Sequence, residues 1–356
     1  MKHRVYSKKT ILISQIFSLL VCPFFIILNF FRRSYKIDEI EVKTILVTEY
    51  HRIGDILIIE PILKTIKKRY SKAHLILICN QNVKELASHL KLADEVIGLN
   101  VPWTNWSWSI IKWWRTRNFA KGLVRKKIDL AFDFKGDIRN GWFLWLTHPK
   151  ISFGYNTTGG DYFFTKPIKM NQDLHQRYRA FDLISGVGCS LTEGDDKKVI
   201  SNNEGAIVIH PGSADHRRLW PLKHWVDLIK LLSNTEKIVV VDVNESKKLI
   251  EEIKDLNVGT FKGTLVEFKF WLAGQKCLVA PDSMAGHLAA YLNIPVITLF
   301  GSQVPELTSP ITKSGLVIKP DNPCTHKRKH WRLCGKCMAS IAPLAVYEAI
   351  NSYIID

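Results

Sequence analysis

CLVAPDSMAGHLAAYLNIPVITLFG, residues 277–301, reads as strand, loop, helix and strand in one short run. Cys277–Ala280 and Val296–Phe300 are unbroken apolar segments, and Met284–Leu292 between them has the composition of a helix. Strands buried on both faces read as continuous apolar runs, and parallel neighbours need a crossover that is usually helical. The stretch therefore predicts a parallel sheet covered by helices. Working upstream, Ala206–His210 is a strand, Pro221–Leu232 a helix and Lys237–Val243 a strand, followed by helices at Ser246–Lys254 and Leu265–Ala273. The same alternation begins earlier, with strands at Thr44–Thr48, His74–Cys79, Glu95–Leu99 and Ile128–Phe134 and helices at Ile56–Tyr70 and Lys84–His89. Gly186–Asn203 is polar and without apolar periodicity, which marks it as the linker. The chain has 356 residues; at roughly 150 residues per domain this suits two doubly wound α/β halves facing a cleft, with ligands at the carboxyl ends of the strands. Pro343–Ile355 closes the chain as a helix.

Composition narrows the partners. Apolar residues make up 46% and charged residues 23%, which excludes disordered and collagen-like chains. Lys and Arg number 50 against 33 Asp and Glu, a net +17, so an anionic partner is expected: acidic lipid, nucleic acid or a phosphorylated small molecule. Cys22, Cys79, Cys189 and Cys277 are isolated in apolar surroundings, which is not a disulfide framework and fits a reducing compartment. Residues 11–30, ILISQIFSLLVCPFFIILNF, carry no charge and are flanked by Lys and Arg on both sides. The length suits a membrane span. Ser14, Gln15, Ser18 and Pro23 suit a helix lying in the interface, and a terminal helix covering an apolar patch is the plainer alternative.

Three strand-to-helix junctions hold the candidate chemistry. In EYHRIGDILIIEP, residues 49–61, Asp55 arrives where a helix begins and is kept ionised by the helix N-terminus. It is either a helix cap or a general base, and Arg52 beside it could meet a phosphate. In IVIHPGSADHRRLWP, residues 207–221, Gly212 and Ser213 allow close approach of an anion and Arg218 can grip it; the plainer alternative is a basic surface loop. In residues 277–301, Asp282, Ser283, Gly286 and His287 gather at one helix start, a candidate diphosphate seat, although a histidine there also serves as a structural residue.

These stretches, in this order, resemble glycosyltransferase family 9, the heptosyltransferases of lipopolysaccharide core synthesis: RIGDILIIEPILKTIKKRY, then HPGSADHRRLWPLKHW, then PDSMAGHLAAYLNIPVITLFG. The resemblance runs from about residue 43 to the C-terminus. It implies a GT-B fold and inverting, metal-independent transfer of a sugar from a nucleotide donor, ADP-heptose in the best-known members. It further implies a lipid-linked saccharide acceptor at the cytoplasmic face of the bacterial inner membrane. Asp55 falls on the family's catalytic base, Arg218 where many relatives have a phosphate-binding Lys, and Asp282, Ser283 and His287 on donor-site positions. Arg218 replaces a point charge by a planar fork, and Met284 stands where the commonest family version has Gly. No cofactor or catalytic metal is expected. A chain that keeps the fold and binds a nucleotide-sugar or lipid saccharide without catalysis is the alternative reading.

The expected organisation is a hydrophobic membrane-associated segment over 1–36, an acceptor domain over 37–195, a nucleotide-sugar domain over 196–342, and a closing helix over 343–356 returning toward the first domain. Asp133, Lys135 and Arg139 in DFKGDIRN are candidate acceptor contacts. VPWTNWSWSIIKWWRTRNF, residues 101–119, holds five of the eleven tryptophans among basic residues; packing, a membrane interface and base stacking are the alternatives. No nucleic-acid motif supports the last. Cys334 and Cys337 in CGKC have metal-ligand spacing, with Cys324, His326 and His330 upstream. A partnering cysteine pair is missing, so reduced thiols near the surface are the first reading, structural zinc is the alternative, and no metal ligand is assigned.

Overall fold

The structure is a computed structural model and describes residues 6–104, 107, 109–190, 202–327 and 333–352. The chain divides into two compact units, Met1–Gly194 and Asp195–Asp356. Most of the expected linker, 191–201, lies outside the described residues.

The first unit opens with α1 (Lys8–Phe30). It continues through β1 (Thr44–Glu49), α2 (Ile53–Arg69), β2 (His74–Cys79), α3 (Lys84–His89), β3 (Glu95–Gly98) and α4 (Ile110–Gly122). It ends with β4 (Leu130–Asp133), α5 (Ile138–Leu146), β5 (Ile151–Tyr155), β6 (Lys166–Ile168) and α6 (Gln176–Ser185). Its six strands form one sheet in the order β3-β2-β1-β4-β5-β6, every pairing parallel. Burial explains the pattern. In β1 all residues but the first are buried, with Ile45, Leu46 and Val47 at 1% exposure or less, and each such side chain contributes about 1.5–3 kcal/mol.

The second unit comprises β7 (Ile207–Ile209), α7 (Leu222–Leu232), β8 (Ile238–Val241), α8 (Lys247–Glu252), β9 (Val258–Phe261), α9 (Leu265–Leu272) and β10 (Cys277–Pro281). It then runs through α10 (Met284–Tyr291), β11 (Val296–Leu299), α11 (Pro305–Thr308), β12 (Gly315–Ile318) and α12 (Pro343–Ile350). The sheet order is β12-β11-β10-β7-β8-β9, again wholly parallel. The closing helix α12 packs on α7 and puts Val346 and Ile350 into this unit's core with Trp220, Trp225 and Leu228.

In both sheets the chain reverses its direction of strand addition between two central neighbours, β1 and β4 in the first and β10 and β7 in the second. Ligands of such sheets bind beyond the carboxyl ends of the strands at that switch point.

The apolar segment 11–30 forms most of α1, which is long and apolar enough to cross a membrane, with only Ser18 buried among its residues. It docks along the first unit instead of standing apart. Ser18 Oγ accepts from Gly160 N at 2.8 Å, Asn29 Nδ2 donates to Tyr162 O at 2.6 Å, and Trp145 Nε1 donates to Asn29 Oδ1 at 2.8 Å. Phe25 packs against Trp145, Tyr162 and Phe163. Gly159, at φ +90°, makes this approach possible: a Cβ there would sit 2.6 Å from that of Ser18.

The tryptophan-rich segment divides. Trp103 is a core residue donating to Asn140 Oδ1 at 2.8 Å, and Trp113 packs against it. Trp114 is 60% exposed on α4. Trp106 and Trp108 lie outside the described residues.

Candidate active site

In the first unit the loops after β1 and β4 meet around Asp55. This residue is the third of α2, and its Oδ2 accepts from Arg52 N at 3.2 Å, so the capping role is real. Its other oxygen does more. Oδ1 receives Lys135 Nζ at 2.6 Å and Gln176 Nε2, from the first residue of α6, at 2.9 Å. Burial alone would raise the Asp55 pKa; the charges of Lys135 and His51 and the bonds from Lys135 and Gln176 overcome it and hold the carboxylate well below its usual range. Lys135 is itself buried, which lowers its pKa, but Asp55 and Glu49 reverse that and raise it. Glu49 ends β1 with no exposed surface; its Oε1 accepts from His51 N and Nδ1 at 3.2 and 3.0 Å, and its Oε2 lies 3.5 Å from Lys135 Nζ.

A buried network aims Lys135. Asp133 accepts from Asn140 Nδ2 at 2.8 Å and from Gly136 N at 3.0 Å, and Asn140 in turn accepts from Trp103. Gly136 adopts φ +72°, where a Cβ would come within 2.8 Å of Thr157 and Tyr155 side-chain atoms. The loop therefore turns back tightly just after Lys135.

Within DFKGDIRN, the candidate acceptor contacts Asp133, Lys135 and Arg139 each have a partner inside the first unit. Asp133 has no exposed surface, and burial pushes its pKa up to about 7; it holds the loop together. Lys135 is the ion partner of Asp55. Arg139 makes a two-pronged pair with Asp137 at 2.8 and 2.6 Å, and Asp137 caps α5. Arg52 is exposed at the start of α2.

In the second unit the loops after β7 and β10 meet in the same way. Arg218 Nη1 lies 2.9 Å from Asp282 Oδ2 and 3.4 Å from the Asp282 carbonyl, which also accepts from Ser213 Oγ at 3.1 Å. Ser283 caps α10 by its backbone, while its Oγ is enclosed with no hydrogen-bond partner among the described residues. His287 is buried one turn into α10. The missing side chain of Gly286 serves packing, since a Cβ would stand 2.8 Å from Thr298 Cγ2 and 3.2 Å from Pro310; its N–H still belongs to the helix's first turn, whose donors have no partner within the helix. Gly212 is similarly confined by Val243, Glu245 and His210. Arg218, ion-paired with Asp282, and the start of α10 thus form a donor-rich corner of the kind that can receive a diphosphate.

Four residues of these loops escaped the sequence reading. Glu49 and His51 stood in a quoted motif without a role. Gln176 lies 121 residues from Asp55 in a segment with no motif. His210, at the end of β7, is buried, which lowers its pKa to about 4 and leaves the ring neutral at physiological pH; its place before Pro-Gly was the available signal.

Residues 116–337 match the family model of glycosyltransferase family 9 (heptosyltransferase). Lipopolysaccharide heptosyltransferase 1 of Escherichia coli O18:K1:H7 is 23% identical over 223 residues, 56% of this chain and 68% of that protein. The solved E. coli heptosyltransferase WaaC with ADP superposes with a TM-score of 0.71 at 19% identity, covering 87% of this chain and 99% of that one. The E. coli ADP-heptose lipopolysaccharide heptosyltransferase II gives 0.69 at 17%, covering 88% and 99%. The two parallel six-stranded sheets share the GT-B fold of these structures.

Proposed function

The chain belongs to glycosyltransferase family 9 and is a glycosyltransferase; from that premise we propose that it moves heptose from ADP-heptose to a lipid-linked saccharide of a lipopolysaccharide-type glycan, with inversion and without a catalytic metal. The observation that carries the reading is Asp55: an ionised carboxylate at the switch point, fixed through Oδ1 by Lys135 and Gln176, whose Oδ2 takes one backbone N–H and keeps a second lone pair. An acceptor hydroxyl bound to that lone pair is steered as a nucleophile. As its oxygen bonds to the anomeric carbon, the bond to the diphosphate breaks and the hydroxyl becomes strongly acidic, so even a weak base takes its proton. The charge gathering on the departing ADP is met by Arg218, the hydroxyls of Ser213 and Ser283, and the first-turn N–H groups of α10. Asp282 is the ion partner of Arg218 at 2.9 Å.

Titration of ADP, UDP, GDP and CMP into the full-length chain, without added metal, tests the donor half. Saturable binding of ADP alone is expected, and Arg218→Ala weakens it about 10- to 150-fold, the worth of charge-assisted bonds to phosphate. Preference for another nucleotide, or ADP binding indifferent to Arg218→Ala, overturns it.

The relatives' names place them in lipopolysaccharide synthesis, and α1 supplies a means of meeting a lipid-borne acceptor at the cytoplasmic membrane face. Spanning would carry the polar groups that α1 engages on the first unit, such as Gly160 N and Tyr162 O, toward the hydrocarbon. We therefore read α1 as lying in the interface with Leu12, Phe17, Leu19, Leu20 and Phe24, all more than half exposed, turned to lipid. The double variant Leu19→Glu/Leu20→Glu is expected to lose more than about tenfold in affinity for anionic vesicles, because each leucine buried contributes about 1.5–3 kcal/mol. Co-sedimentation equal to that of the wild-type chain contradicts this.

A further inference from the structure

Cys324, His326, Cys334 and Cys337 come together in the second unit, each offering one ligand atom, with all four atoms within 4.8 Å of one another. His326 Nδ1 is 3.7 Å from Cys324 Sγ and 3.5 Å from Cys337 Sγ. In a tetrahedral zinc site, with Zn–S near 2.3 Å and Zn–N near 2.0–2.1 Å, the sulfur-to-nitrogen edge is about 3.6 Å. The spacing is thus that of ligands around a common centre, and two of the four, Cys334 and Cys337, are buried. The sequence reading lacked a partner pair for CGKC; the fold supplies it as one cysteine and one histidine from the segment after β12.

We infer that these four residues form a structural Cys3His zinc site. Zinc is the ion for a closed tetrahedral set of soft thiolates and imidazole. The three thiols lose their protons on binding, which leaves the centre with one net negative charge, and Lys327 and Lys336 flank the ligands in sequence.

Its position gives it a task. Cys334 N donates to Ser302 Oγ at 2.7 Å, just beyond the end of β11. A Cβ on Gly335 would lie 3.5 Å from Arg217 Cα, and Trp220 Nε1 donates to Ile341 O at 3.0 Å. The segment Gly335–Ser340 therefore lies directly behind the turn His216–Arg218, so the metal pins a loop-rich stretch against the back of the turn that carries Arg218. This is a structural role, separate from transfer itself, and its test is independent of the donor reading.

Metal analysis of the full-length, detergent-extracted chain is expected to give about one zinc per chain, falling below about a tenth in Cys324→Ser and in Cys337→Ser and unchanged in Cys22→Ser. Cobalt exchanged into the wild-type chain is expected to show the intense visible bands of a tetrahedral centre with thiolate charge transfer, a readout that needs no variant to fold. Absence of zinc, another metal in its place, zinc that persists in both ligand variants, or a cobalt spectrum without thiolate bands overturns the inference.

Discussion

Asp55→Asn lowers turnover by about 10²- to 10⁴-fold, the range for removing a positioned general base, and leaves ADP affinity within about twofold of wild type. The separation follows from the fold. Asp55 belongs to the first sheet and its α2, whereas Arg218, Asp282 and Ser283 sit on the second sheet's loops. The amide keeps the side chain's shape but has one acceptor oxygen where the carboxylate has two, so it removes the charge, the capacity to take a proton and part of the bonding from Arg52 N, Lys135 and Gln176. Steady-state kinetics beside calorimetry checks this. Turnover near that of the wild type would remove Asp55 from the chemistry, and joint loss of turnover and ADP binding would show that it acts on the structure.

Lys135→Met has the second-largest expected effect, and its signature lies in pH. Lys135 is the chief group opposing the burial that would otherwise raise the Asp55 pKa, with His51 and Gln176 contributing less. Without it, burial is less opposed and the Asp55 pKa rises from its depressed value. The acid limb of activity is expected to shift upward by about 1–3 pH units, the range for losing an adjacent opposite charge. The sign for stability follows. A carboxylate with a depressed pKa stabilises the fold above its unfolded pKa, and that contribution fades as pH falls through the folded value. The variant forfeits it near neutral pH and leaves Asp55 and Glu49 without their shared cation, a loss of about 3–5 kcal/mol. Adding Asp55→Asn to Lys135→Met is expected to return part of that stability while leaving the chain inactive. Denaturant unfolding and a pH–rate profile read the two halves separately, and an unmoved acid limb would contradict the pairing.

Where a segment's fate depends on its own pattern, the sequence was legible. His74–Cys79 and Lys84–His89 were read to the residue, and Asp55, Arg218 and Asp282 stood out because strand, turn and helix start are adjacent in the chain. Of the strands that went unread, β5 is fully buried but mixes Ser and Gly into a short run, β6 is three residues with a proline, and β9 and β12 are edge strands without full burial. Their pairing is decided by the neighbouring strand, and proline is itself an edge signal. α5 and α6 carry ordinary helical residues after loops whose caps, Asp137 and His175, are evident only once the backbone is placed. The site shows the same division. That Asp55 carries a charge is a local fact, but its pairing with Lys135 and Gln176 comes from two distant loops brought to one sheet edge. The Cys3His cluster is likewise a product of folding, since spacing alone left CGKC without partners.

Mass spectrometry and NMR of the product formed by the full-length chain from ADP-heptose and a lipid-linked saccharide, without added metal, test the central claim most directly. The account predicts one heptose joined to the acceptor, with inverted anomeric configuration and stoichiometric release of ADP. No transfer, transfer only from a sugar on another nucleotide, or a product with retained configuration would contradict it.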